Sequence, residues 1–439
     1  MKHRIRRLAA TAAAALAAVT LAACGSSGGG SSSGPVTLTF WTWLGSGTQT
    51  IADQFTKTHP GIKIDVVNAG QSADEYTKLE TALKAGKGAP DIAQIEYFAL
   101  PQFALSKDLV NLSDYGAGSL IKSKYTPSAT QSVTVNGGIY AFPQDVGPMA
   151  MFYRKDLFKK AGLTAPTTWA QFAADAAVLH KKFPQTYIAN VDPSDPGTAT
   201  SFMWQAGGRP FQTAGTTNVT VNLTSDPGVR KWASLWSGLL EKHLVATDIG
   251  WTTSWWHGMG AGRYATWVTG AWAPVSMTAA IPQTSPDWAV APMPQWTPGA
   301  HVTAQNGGSS SAIVASSPHK KQALEFLEWL DSSQQGAQAL GNLGLFPPTT
   351  ALLNSSSWLN APQKILDNQR ANKVLAQSGN EVAGGWQYLP FQVYANSVYA
   401  DTVGQDITAG KSLMPGLQAW QQRIASYGNT QGFTVKTGA

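Results

Sequence analysis

One cysteine in 439 residues is too few for a disulfide framework or a thiolate zinc site. Charge is scarce as well. Asp, Glu, Lys and Arg make up 13% of the chain, against about 25% in an ordinary soluble protein. With 43% apolar residues and no long run of one sign, neither a disordered charged tail nor a coiled coil fits. There is no phosphate-binding loop, no His-Glu-x-x-His pair and no calcium-loop pattern. Two Gly-x-Ser-x-Gly matches, at residues 25–29 and 30–34, lie in an unbroken Gly/Ser stretch. They lack the strand and helix that a nucleophile elbow needs. The seven His residues are dispersed and read as surface or hydrogen-bonded groups rather than ligands. Neither a metal nor a cofactor is expected. What the chain does have is tryptophan: 17 residues, ten of them between Trp204 and Trp296. Cores are built mostly from Leu, Ile, Val and Phe, and a buried indole N–H needs a partner. This density therefore exceeds what core filling requires.

The first residues read as an address and a tether. Lys2, Arg4, Arg6 and Arg7 precede an apolar stretch over residues 8–23. That stretch is shorter than the roughly 20 residues of a membrane span, and its flanks fit a secretory signal. It ends Leu21-Ala22-Ala23-Cys24-Gly25, which resembles the lipobox of bacterial lipoproteins, where the chain is cut before the Cys and lipid joins the thiol. The expectation is a signal peptide over 1–23, then lipidated Cys24 and a flexible Gly/Ser linker over 24–35. Two acyl chains suffice for stable anchoring. Cleavage removes four basic residues and no acid, so the net charge falls from +6 to +2. No Lys/Arg cluster with interleaved aromatics follows Cys24, and no nucleic-acid partner is expected.

Beyond residue 35 the pattern alternates. Residues 36–40 read as a strand, and Ile51, Ala52 and Phe55 recur at helical spacing. Residues 62–67 alternate like a strand, Tyr76, Leu79, Ala82 and Leu83 are helical again, and 91–95 are a short apolar strand. This order implies an α/β sheet rich in parallel strands. Farther on, residues 139–142 and 149–153 read as two strands around a Pro-containing connection. Residues 155–161 read as a helix stopped by Gly162. Thr168 and Gln171 have capping-box spacing, Ser317-Pro318 opens another helix, and the last helix covers about 413–426. Trp232, Trp236 and Trp329, in helical patterns, are expected to be structural.

Five segments taken in order resemble the extracellular solute-binding proteins of bacterial ABC sugar importers, the family that includes maltose-binding protein. They are residues 38–45 with Phe55 and His59-Pro60-Gly61-Ile62, then Gly88-Ala89-Pro90-Asp91-Ile92. Next come Gly138-Ile139-Tyr140-Ala141-Phe142-Pro143, Met151-Phe152-Tyr153-Arg154-Lys155-Asp156-Leu157-Phe158 and Pro166-Thr167-Thr168-Trp169. The fourth is residues 260–272, ending Thr269-Gly270-Ala271-Trp272, and the fifth is Ser317-Pro318-His319-Lys320-Lys321 with residues 323–327. Arg154 departs from the pattern, since many relatives have Asn there. The resemblance implies a two-lobed periplasmic-binding-protein fold with the ligand cleft between lobes joined by crossing strands. Lobe 1 would be residues 36–145 with 305–345 returning to it, and lobe 2 residues 146–304 and 346–439. It further implies a carbohydrate ligand, ABC permease subunits as partners, a monomer, no catalysis, and a place on the outer face of the cell membrane. The Ala/Gly-rich composition and the long spacer lean towards a cell without an outer membrane.

A sugar presents C–H faces and a hydroxyl rim, so its site needs flat aromatic walls and a few polar anchors. Trp272, in a Gly-Ala-Trp-Ala-Pro turn after a strand, stands where the family places a stacking Trp. Trp386, after Gly384-Gly385, matches a second such position. Trp43 lies past the end of the first strand, where α/β sheets bind ligands; Trp41 reads as core. Glu96, beside the strand 91–95, is either a hydroxyl acceptor or a solvated loop acid. Gln144 and Asp145 follow Pro143 in the crossover and are expected to contact ligand. Gly308 and Ser309, before the strand 312–315, offer further hydrogen bonds. Trp204 is a further candidate. Trp255 and Trp256 are adjacent, so at most one faces the cleft. Phe346 reads as packing. Two other functions stay open: a secreted glycan-processing enzyme using Glu96 and Asp145, and the same fold binding a non-sugar solute.

Overall fold

Leu38 and Phe40, alternating with Thr37 and Thr39, form β1 (Val36–Trp41) with both apolar side chains fully buried. The helix Ser46–Thr58 buries a single stripe of Thr48, Ile51, Ala52 and Phe55. β2 (Ile62–Val67) runs parallel to β1, and after the helix Ala73–Ala85 the chain returns as β3 (Ile92–Glu96), parallel to β1 on its other side. The strand–helix alternation expected from the sequence is present. Glu96 is the last residue of β3 rather than the first of a loop. The structure, a computed structural model, describes residues 35–438. The signal, Cys24 and nearly all of the Gly/Ser linker lie outside the described residues.

A small hairpin of β4 (Thr134–Val135) and β5 (Gly138–Ile139) leads into β6 (Phe142–Arg154). The sequence predicts two strands here; the structure has one of 13 residues, running through both prolines. β7 (Phe211–Ala214) and β8 (Asn218–Val221) form a separate hairpin, later extended by β12 (Thr434–Thr437). β9 (Thr266–Gly270) and β10 (Trp288–Pro292) both pair antiparallel with the C-terminal half of β6. β11 (Gln305–Ile313) pairs antiparallel with β3 on one side and with residues 142–148 of β6 on the other. The large sheet thus reads β10-β6-β11-β3-β1-β2, with β9 also on β6. β6 and β11 are its crossing strands. Their ladder shifts register between Gln305 and Gly308 and again between Ser309 and Ser310. Proline removes a ladder donor, so Pro143 and Pro148 are tolerated where that ladder is irregular.

Two apolar clusters flank the crossing. One holds β1–β3, the first part of β6, Phe326, Leu327 and Leu330, and continues through Trp255, Met259, Trp288 and residues 365–376. The other gathers Met149 and Met151 of β6, the helices Trp169–Lys182 and Pro227–Glu241, and Trp420. Successive β6 residues face opposite ways, so Ala150 and Phe152 belong to the first and Met149 and Met151 to the second. Trp232 and Trp236 are buried in the second cluster, as expected, and Trp329 packs half-buried against Phe55 in the first. Thr168 caps its helix by accepting from Gln171 N at 3.1 Å, and the Gln171 amide oxygen accepts from Thr167 N at 3.0 Å. The helix expected from Ser317-Pro318 instead spans Lys320–Ser332. The Ser317 hydroxyl donates to Asp91 at 2.5 Å and accepts from His319 N, closing a turn before the helix begins. The final helix is Met414–Thr430. Among the described residues no helix is long and apolar enough to cross a membrane.

Candidate functional site

Glu96 ends β3, Ser309 lies opposite it on β11, and Asp145 lies opposite Ser309 on β6. Three neighbouring strands therefore set these residues in one row at the crossing. Asp145 Oδ1 accepts from Ser309 N at 2.8 Å and from the Ser309 hydroxyl. Gln94 Nε2 donates to Ser309 Oγ at 3.0 Å, and the Thr42 hydroxyl donates to Gln94. Gln144, fully buried, donates to Ser311 Oγ at 3.3 Å. Glu96 accepts from Tyr76 Oη at 3.0 Å, and its own N–H donates back to that oxygen at 2.8 Å. A carboxyl withdrawn from water holds its proton more tightly, because its charged form is poorly solvated. Burial raises Glu96 to about 7, with Ser72 and Tyr76 bonds opposing and Asp145 adding to the rise. Burial raises Asp145 to about 6, against the two Ser309 bonds. Glu75, buried and without a hydrogen-bond partner, is pushed up to about 8 by burial and then by Glu96.

Above this row lies a cavity of about 370 Å³, lined by Trp43, Glu96, Asp145, Trp272, Gly308 and Ser309. Six sequence-predicted residues thus converge on one space. Trp272 heads the helix Ala273–Ala280, and its Nε1 donates to Asn306 O at 2.8 Å. The indole is seated by two glycines. A Cβ on Gly270 would come within 2.4 Å of Trp272 Nε1, and one on Gly307 within 3.1 Å. Gly308, at φ +99°, likewise leaves room for the Tyr97 ring, which a Cβ would meet at 2.6 Å. The register shift in β11 and its glycines therefore serve one purpose: they let two aromatic rings approach the crossing backbone.

The remaining candidates lie elsewhere. Trp204 and Trp386 stack on each other, centroids 5.2 Å apart and 8° from parallel, and are 5% and 6% exposed. They line a separate cavity of about 350 Å³ with Tyr97, Gln131, Asn136, Gln387 and Tyr388. Gln144 lies among buried polar groups and lines neither space. Trp255 is buried and Trp256 half-buried, their centroids 4.6 Å apart. Only Trp255 reaches a third, small cavity of about 60 Å³, which also touches Asp192, Asp195, Trp251 and Trp272. Asp195, raised by burial, spends its oxygens on Thr198 N and Oγ1 at 2.9 and 2.6 Å. Phe346 packs edge-on to Trp358, and Trp41 is half-buried against the first cluster, both as expected.

Sequence reasoning missed Trp251, Gln71, Val275, Ser276 and the 343–345 loop, all on the main cavity. No local pattern marks Trp251, which lies in the loop just before the N-cap Thr252. Among the described residues no cluster of His, Cys, Asp and Glu could hold a metal ion.

Residues 42–337 match the family model described as bacterial extracellular solute-binding protein. The chain belongs to that family. A solved ABC-transporter-associated binding protein from Bifidobacterium animalis subsp. lactis Bl-04, in complex with β-1,6-galactobiose, is 37% identical, with a TM-score of 0.80 over 91% of this chain and 99% of that one. The galacto-N-biose/lacto-N-biose I-binding protein of a Bifidobacterium longum ABC transporter, in complex with lacto-N-biose, is 26% identical, with a TM-score of 0.79 over 92% and 99%. The arabinooligosaccharide-binding protein of Bacillus subtilis strain 168 is 26% identical over 76% of this chain and 78% of its own. The fold is the two-lobed α/β architecture of these binding proteins. The family consists of substrate-binding components of transporters, located outside the cytoplasm.

Proposed function

We propose that this protein captures a carbohydrate outside the membrane and delivers it to the permease of an ABC importer. One observation carries the reading: the convergence of Trp43, Trp272, Glu96, Asp145, Gly308 and Ser309 on a single cavity at the crossing strands. The indoles supply apolar faces for sugar C–H groups, and Glu96 and Asp145 supply acceptors for hydroxyls. Asp145 Oδ1 already accepts twice from Ser309, which holds the carboxyl in place and leaves Oδ2 to accept from a sugar hydroxyl. That engagement favours binding over glycan processing, so sugar incubated with the protein should be recovered unchanged, and a cleaved product would overturn this reading.

The sugars bound by the relatives suggest a small galactose-containing oligosaccharide. In this reading β1–β3 with β11 belong to one lobe and residues 146–304 and 346–439 to the other. Closure bends β6 and β11 at their irregular ladder, and the permease reads the closed form. Lipid on Cys24 holds the monomer at the outer face of the membrane.

A thermal-shift panel tests the proposal. It contains β-1,6-galactobiose, lacto-N-biose, lactose, arabino-oligosaccharides and, as non-sugar solutes, spermidine and a tripeptide. A matching sugar at 100 times its Kd adds about 2.7 kcal/mol of stability. Stabilisation by a non-sugar solute alone would move the protein to a different ligand class.

A further inference from the structure

Trp251 is 55% exposed, and its φ of +64° lies in the left-handed region. An exposed indole leaves a broad apolar face in water, and a left-handed backbone is unfavourable for a bulky side chain. Both features persist because the surroundings impose them. Asn190 and Asp248 exchange two hydrogen bonds of 2.8 Å, and Gly250 N donates to Asp192 at 2.8 Å. Asp248 accepts in turn from Arg263 at 2.7 Å and Tyr264 at 2.6 Å. Thr252 donates to Ile249 O and caps the next helix through Trp255 N, each at 3.1 Å. Strain so firmly enforced, in a residue lining a ligand cavity, points to function.

The ring has a specific neighbour. Its centroid is 5.5 Å from that of Trp272, tilted by 36°. Trp255, Trp256 and Trp267 lie within 6.0 Å of it as well, and Trp255 is 4% exposed. Trp272 and Trp251 thus form two adjoining, mutually tilted faces, supported by other indoles. Two linked sugar rings, themselves tilted about a glycosidic bond, can cover both faces; a single ring covers one.

We propose that Trp251 is a second stacking platform and that, with Trp272, it selects saccharides of two or more rings over monosaccharides. This rests on the carbohydrate reading and extends it to ligand size. The test is calorimetric titration of the unmodified chain, Trp251→Asn and Trp251→Phe. The ligands are β-1,6-galactobiose, lacto-N-biose and lactose, with galactose, the ring common to all three. Asn tolerates the left-handed backbone without offering a ring. In Trp251→Asn the preferred disaccharide should bind roughly tenfold more weakly, while galactose stays within twofold. Trp251→Phe should keep most of the preference. The melting temperature of Trp251→Asn should be unchanged or higher, since strain and exposed apolar surface are both removed; a structural role predicts a lower one. Equal weakening towards disaccharide and galactose, or an undiminished disaccharide preference, overturns the platform. An unmodified chain that binds none of these sugars, yet is stabilised by a non-sugar solute, overturns the carbohydrate reading itself and the platform with it.

Discussion

The two larger Trp-lined cavities are nearly equal in volume, about 370 and 350 Å³, and differ in what their indoles are free to do. In the first, Trp43 and Trp272 are half-buried, and Trp272 has its N–H satisfied by Asn306. Glu96, at the end of β3, and Asp145 and Ser309, within β6 and β11, stand beside them. In the second, Trp204 and Trp386 turn their faces to each other and are almost wholly buried. Tyr97 packs against Gly308 of the first cavity and lines the second, so the crossing backbone lies between them. An aromatic side chain serves either packing or recognition according to whether a neighbour already covers its face.

Trp386→Ala should have the largest effect, and on folding. Removing a buried, stacked indole costs about 3–5 kcal/mol, measured by denaturant unfolding, while sugar affinity stays within twofold. The opposite pattern, lost affinity at unchanged stability, would move the binding site to the second cavity. Trp272→Ala should reverse the signature. Affinity falls roughly a hundredfold, about 2.7 kcal/mol, and stability drops by about 1 kcal/mol, chiefly from leaving Asn306 O without its donor. A Trp272→Ala protein that binds normally would break the assignment of the first cavity.

How much of this was legible before the structure depends on the range of each interaction. β1, β2 and the helix between them are written in local periodicity, and Leu38, Phe40, Ile51 and Phe55 are buried where the pattern places them. Glu96 could be named because α/β folds hold ligands at the ends of strands, Asp145 because it follows Pro143 in the crossover, and Ser309 as a donor before an expected strand at 312–315, although both lie within strands. Their alignment in one row could not be read, since it depends on pairing between segments far apart in the chain. The same limit explains Trp386. Its local setting after two glycines is shared by exposed and packed indoles alike, and what decides is Trp204, distant in sequence. β6 reads as two strands because prolines normally end one; only the shifted ladder with β11 shows how they are tolerated. Trp251 escaped because its left-handed φ is imposed by Asn190, Asp192 and Asp248, not by its own residue type.

The smallest effect sharpens the same comparison, because only the first cavity holds carboxyls near neutrality. Glu96 titrates at about 7 and Asp145 at about 6 in the fold, both above their ordinary values of 4.5 and 3.8. A raised carboxyl pKa means that the folded state binds the proton more tightly. These groups therefore contribute stability that is fully present in acid and is lost as pH rises through about 6–7. Binding runs the other way. Sugar hydroxyls donate best to an ionised Glu96, so affinity should rise about tenfold between pH 6 and pH 8, as the ionised fraction of a group near 7 does. Calorimetry in two buffers of different ionisation enthalpy should show proton release on binding at pH 6. Glu96→Gln keeps the acceptor for Tyr76 while removing the titration. It should raise the unliganded melting temperature at pH 8 and flatten most of the pH dependence, with Glu75 and Asp145 left to supply the remainder. If the unmodified chain binds its sugar equally at pH 6 and pH 8, Glu96 does not meet the ligand as a carboxylate, and the polar side of the first cavity rests on Asp145 and the backbone at Gly308.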